Sequence, residues 1–138
     1  MMIIHSERAI KAAIDIQKEV SKLNQVWEAA NKIPLKIAIG INSGTVVVGN
    51  IGSAERMDYT IIGEDVNLAS RVEALSKVFS VLIVISERTV KLLPEGNLKN
   101  SLYYMGAQQV KGFTDPISCY SISGLKLDFK PSQDKGFK

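Results

Sequence analysis

The chain has 138 residues, 46% hydrophobic and 22% charged, which is the balance of one globular domain with a real core. Its formal net charge of +3 arises largely in the closing stretch KLDFKPSQDKGFK, and no element interleaves basic with aromatic residues, so nucleic-acid binding is not expected. A single cysteine, Cys119, excludes an intrachain disulfide framework and fits a reducing cytoplasm, and no run reaches the ~18 apolar residues of a membrane span.

The start MMIIHSER has neither a basic leader nor a cleavage site and is not expected to act as a signal peptide. Ser6 is placed to cap a helix, and Ile10, Ala13, Ile14, Gln17, Val20, Asn24 and Trp27 then recur at helical spacing. This predicts an amphipathic helix from about Glu7 to Ala30, ended before Pro34. In LKIAIGINSGTVVVGNIG two apolar runs flank Asn42-Ser43-Gly44, which predicts a hairpin whose second arm, Thr45 to Val48, is buried on both faces. MDYTII is extended and leads through Gly63 into a second helix that opens on Glu64 and Asp65. The continuous apolar run FSVLIVIS is too short for a helix and reads as a central strand. Ser86 caps the brief helix ERTVKLL, and SLYYMGAQQV and PISCYSIS are two strands joined by KGFTDP. After Gly124 the hydrophobic pattern stops, so residues 125–138 are expected to be a basic, flexible tail. Helices and hairpin strands mixed in this way predict an α+β fold, with helices packed on a mostly antiparallel sheet.

The residue inventory removes most chemistries. GNIGSAER and GINSGTVVVG match neither a phosphate loop nor a dinucleotide fingerprint. With His5 and Cys119 as the sole histidine and cysteine, a zinc site or a nucleophile–histidine couple is excluded, and no metal ligands are assigned. A polar set remains: Thr60, Asn67, Arg71 and Lys111. Asn67 and Arg71 are four residues apart and share one helix face. On spacing alone they are either the wet side of a surface helix or a pair aimed into a cleft. The cleft reading has a chemical logic, because a guanidinium can donate two hydrogen bonds to the non-bridging oxygens of a phosphorus centre gaining charge.

The stretch IAIGINSGTVVVGNIGSAERMDYTIIGEDVNLASRVEAL resembles the signature region of class III nucleotide cyclases, the adenylyl and guanylyl cyclase catalytic domain. The flanking HSERAIKAAIDIQ, LIVISERTVKLL and MGAQQVKGFTDPISCYSI resemble the same family, so the likeness runs from about His5 to Gly124, and residues 1–124 are expected to form one partial catalytic domain. The fold it implies is a ferredoxin-like-derived cyclase fold without its N-terminal strands. The activity it implies, of the bacterial adenylyl type, is attack of the ATP ribose 3′ oxygen on the α-phosphorus, yielding cyclic AMP and pyrophosphate. By the same resemblance, two chains pair head to tail, as a homodimer or with another cyclase domain, and share the active site. Asn67 then matches the asparagine that orients the ribose, and Arg71 the arginine that stabilises the transition state. Thr60 matches a base-selecting position suited to adenine, and Lys111 stands near a phosphate-binding position.

Three departures shape the expectation. The two metal-binding aspartates and the base-selecting lysine of the family precede its first helix, and nothing in this sequence corresponds to them. Mg²⁺ or Mn²⁺ therefore belongs to the intact family enzyme and is not expected to be held by this chain alone. Phe113 occupies the position of the usual phosphate-binding lysine, and Asp65 adds a negative charge beside a site meant for a polyanion. The expectation is the C-terminal part of an adenylate cyclase catalytic domain, inactive in isolation. The alternative is a non-catalytic, cyclase-like regulatory module.

Overall fold

A computed structural model describes residues 5–51 and 58–122, with the backbone alone at 51 and 58–60. The basic tail expected at residues 125–138 lies outside the described residues.

The first helix, α1, runs His5–Ala29. Ser6 is buried within its first turn rather than capping it from outside, since the helix already includes His5. Ile10, Ala13 and Gln17 are its buried stripe, and Asn31, in the left-handed conformation at φ 58°, follows the helix three residues before Pro34. Two amides of this stripe serve the backbone of the following segment. Gln17 Nε2 donates to the Ile37 carbonyl at 2.7 Å. Asn24 exchanges two 2.7 Å hydrogen bonds with Leu35, donating to its carbonyl and accepting from its N–H. These hydrogen bonds tie the segment that follows the helix to the helix face.

Strand β1 (Ile39–Ile41) follows, then β2 (Val47–Ile51), β3 (Asp58–Ile62), α2 (Glu64–Ala74), α3 (Ser76–Phe79) and β4 (Ile83–Ser86). The chain continues through α4 (Glu87–Lys91) and α5 (Asn97–Asn100) to β5 (Leu102–Gln108) and β6 (Ile117–Ile122). Four strands form one sheet in the order β1-β4-β6-β5; β1 and β4 are parallel, and the other two pairings are antiparallel. β2 and β3 form a separate antiparallel ribbon.

The expected hairpin around Asn42-Ser43-Gly44 is therefore corrected. β1 lies parallel to β4, and the triplet is where the chain leaves the sheet for the ribbon. Of the β-branched residues of the second arm, Val47 and Val48 enter a strand while Thr45 and Val46 precede it, and Val46, Val47 and Val48 are exposed, Val47 at 69%. β-branching favours extended backbone without specifying what covers it.

β4 is the central strand that its apolar run predicts, with all four residues buried. Its alternation divides the interior in two. Ile83 and Ile85 join Ile10, Ala13, Ile41, Val90 and Leu93, whereas Val84 joins Leu68, Val72, Leu75, Val110 and Cys119. One cluster involves α1 and the other α2, so helices cover both faces of the sheet. Cys119 is fully buried, and burial raises its thiol to a pKa of about 11, which makes it a core residue and not a nucleophile.

Candidate functional site

α2 is the element that carries the sequence-predicted pair. Leu68 and Val72 form its buried stripe, and Gly40 of β1 lets its backbone approach the sheet. A Cβ on Gly40 would stand 2.6 Å from Glu73 Cα, so only glycine allows this contact. On the flank of the helix beside that stripe, Asn67 and Arg71 are both exposed. Among the described residues neither side chain has a hydrogen-bond or ion-pair partner. An amide and a guanidinium four apart on one exposed face are free to engage a ligand, with no structural ion pair to break.

The beginning of α2 is held by a cluster of polar side chains that sequence reasoning missed. Asn42 Nδ2 donates to the Asp65 carbonyl at 2.9 Å, and Ser86 Oγ donates to Asn42 Oδ1 at 2.8 Å. The Ser43 and Thr89 hydroxyls are hydrogen-bonded at 2.9 Å, with Thr89 fully buried. The Asp65 carboxylate is ion-paired with Arg88 of α4. Asp65, which reads in sequence as an adverse charge beside a polyanion site, thus has its charge offset by a neighbouring guanidinium. A signal for the cluster was present in the Asn42-Ser43 pair, whose polar side chains interrupt an apolar run; read as a turn, it concealed their partners.

The other predicted residues are placed less closely. The Thr60 backbone stands opposite Gly49 in the β2–β3 ribbon, and its side chain lies outside the described residues. Lys111 is exposed just after Val110, which packs with Leu68 and Val72. Phe113 packs against that same cluster and so serves the core. A pocket of about 70 Å³ lined by Glu7, Leu93, Pro94, Glu95, Gly96, Asn97 and Leu98 includes none of the predicted site residues. It is well below the ~300 Å³ at which ligand pockets begin.

A metal ion needs converging ligands, and the described residues include no group of three or more histidine, cysteine, aspartate or glutamate side chains that could hold one. The divalent cation implied by the resemblance therefore does not fit the side chains described. No helix among the described residues is long and apolar enough to cross a membrane.

Comparison with known proteins places the chain in a family. The model of the adenylate and guanylate cyclase catalytic domain matches residues 2–124. An adenylate cyclase of Anabaena cylindrica is 34% identical over 122 residues, covering 86% of this chain and 24% of that protein. Adenylate cyclase 1 of Rhizobium meliloti is 28% identical over 88% of this chain and 18% of its own length. The chain therefore spans a quarter or less of these curated relatives. Among solved structures, the adenylyl cyclase CyaB from P. aeruginosa superposes with a TM-score of 0.68 at 38% identity, covering 84% of this chain and 57% of that one. The guanylyl cyclase Cya2 superposes at 0.71 with 30% identity, covering 93% and 61%. With one family model spanning both apolar clusters, the ribbon and α2, the chain belongs to the adenylate and guanylate cyclase catalytic domain family.

Proposed function

We propose that residues 1–124 form the part of an adenylate cyclase catalytic domain that carries the Asn67–Arg71 half of the active site. ATP becomes cyclic AMP and pyrophosphate only where a second cyclase domain or segment supplies the metal-binding half. The observation that carries this reading is the exposed pair on α2, which has no side-chain hydrogen-bond or ion-pair partner among the described residues. Asn67 orients the ribose so that its 3′ oxygen faces the α-phosphorus. As that oxygen bonds and the pyrophosphate oxygen departs, charge accumulates on the α-phosphate, and the Arg71 fork meets it with two hydrogen bonds. Thr60 accepts a hydrogen bond from the adenine amino group, and Lys111 adds positive charge toward the polyphosphate.

The shared site is also supported by the ribbon. Val47, Ile61 and Ile62 are 69%, 52% and 51% exposed, an apolar concentration on two adjacent strands that suits contact with another protein surface. The same observation favours a second reading, a cyclase-like module that binds and regulates a partner without contributing to chemistry.

Complementation separates the two. This chain is mixed with an intact class III cyclase domain whose own helix arginine, the counterpart of Arg71, is changed to alanine. Cyclic AMP from the mixture, with none from either component alone, is the expected result. A stable complex without activity favours the regulatory module. Absence of any complex, or magnesium- or manganese-dependent ATP conversion by this chain alone, refutes the half-site reading. In an active mixture Thr60→Cys is expected to reduce the preference for ATP over GTP by about tenfold, the value of one hydrogen bond; an unchanged ratio removes Thr60 from base selection.

A further inference from the structure

The polar cluster beside α2 sets where Asn67 and Arg71 stand. We infer that Arg88, through its ion pair with Asp65, is a positioning residue for the two. This inference rests on the half-site reading and adds a residue that lies on a different element, α4, and does not touch the substrate.

The argument begins with how α2 lies on the sheet. Gly40, Asn42 and Gly44 alternate along β1 and its continuation, so they share one side of the chain. Each contacts α2. Gly40 meets the backbone at Glu73, Asn42 binds the Asp65 carbonyl, and a Cβ on Gly44 would stand 2.6 Å from Asp65 Cβ. From Gly40 to Gly44 an extended chain covers about 13 Å, and from Glu73 back to Asp65 a helix covers about 12 Å. The chain and the helix therefore run in opposite directions over a similar length, with one contact at the Glu73 end and two at the Asp65 end. Asn67 and Arg71 lie between those contacts.

The two ends are secured differently. At Glu73 the contact is backbone against backbone, backed by buried Val72 and Leu75. At Asp65 the helix is at its first turn, where the hydrogen-bond ladder is only beginning: Asn67 N–H donates to the Gly63 carbonyl at 3.2 Å. There the position depends on side chains. Asn42 grips the carbonyl, Ser86 orients Asn42, and Arg88 draws the Asp65 carboxylate toward α4. Of these, only the Arg88 contact spans from α4 to the α2 side chain, so it opposes rotation of α2 about its own axis. Rotation is the motion that would swing the Asn67 and Arg71 side chains away from a bound phosphate. Because Arg88 is 61% exposed at its side chain, the pair adds little to overall stability, which makes the positioning role separable by experiment.

The test uses Arg88→Gln, which removes the charge and leaves Asp65 in place, together with Arg88→Lys. In the complementation mixture, Arg88→Gln is expected to lower kcat about tenfold with KM for ATP within about twofold, because misplacement by a fraction of an ångström penalises the reacting geometry more than binding. Arg88→Lys is expected to recover most of the loss. An unchanged kcat for Arg88→Gln, or a lysine variant as impaired as the glutamine one, overturns the inference. Amide hydrogen exchange on the isolated chain provides an independent readout. Arg88→Gln is expected to speed exchange at Asn67 and Leu68 severalfold while Val72 and Leu75 hold their rates; no change at Asn67 and Leu68 overturns the inference. If the parent chain fails to complement while the exchange response occurs, the half-site reading falls and Arg88 retains its hold on α2.

Discussion

Arg71→Ala is expected to reduce cyclic AMP formation in the complementation mixture by ~10²–10³, the usual loss when one preorganised donor to a developing oxyanion is removed. The melting temperature of the chain is expected to move by less than about 2 °C. Both expectations follow from the same geometry. Arg71 is exposed on α2 and has no hydrogen-bond or ion-pair partner among the described residues. Among the described residues, removing it breaks no hydrogen bond or ion pair. Were it a structural cation, the order of effects would reverse, with a large fall in melting temperature and a modest fall in rate. Steady-state kinetics and thermal unfolding of the same preparation distinguish the two patterns.

Gly40→Ala is expected to act in the opposite sense, costing about 1–3 kcal/mol of stability. The added methyl would collide with Glu73 Cα and Cβ at 2.6 and 2.7 Å, and the first of these is backbone that cannot rotate away. Relief requires α2 to lift from β1, which opens the cluster of Leu68, Val72, Leu75 and Val84 beneath it. Denaturant unfolding should show a lower midpoint with an unchanged slope. Complementing activity should fall as well, since lifting α2 displaces Asn67 and Arg71 together. A variant as stable as the parent would mean that α2 has another resting place on the sheet.

How far the sequence reveals this arrangement depends on whether a feature is local. α1 was legible because its buried positions recur at the helical period, and β4 because the unbroken apolar run of residues 81–85 fits a strand covered on both sides. The strand pair β5 and β6 was legible from two extended runs joined by a short link. The partner of β1 was not, since Ile39 pairs with Ile83, 44 positions further along the sequence, and nothing local encodes that parallel choice. For the same reason a turn-like triplet was read as a hairpin. Asn67 and Arg71 could be singled out from their spacing and from resemblance, whereas the ion pair of Asp65 with Arg88 joins residues 23 apart on different helices. Side-chain partnerships of that kind depend on the docking angle of α2, which is a property of packing and not of composition.

The most direct test is to observe Asn67 and Arg71 while a nucleotide binds. The chain is labelled with ¹⁵N and mixed with the unlabelled, arginine-deficient cyclase domain, and a non-hydrolysable ATP analogue is titrated in with a divalent cation. The expected result is a saturable shift of the Asn67 side-chain amide and the Arg71 Nε–H resonances, present in the complex and absent from the chain alone. Resonances that stay fixed in a complex shown to bind the analogue would contradict a nucleotide site built partly from this helix.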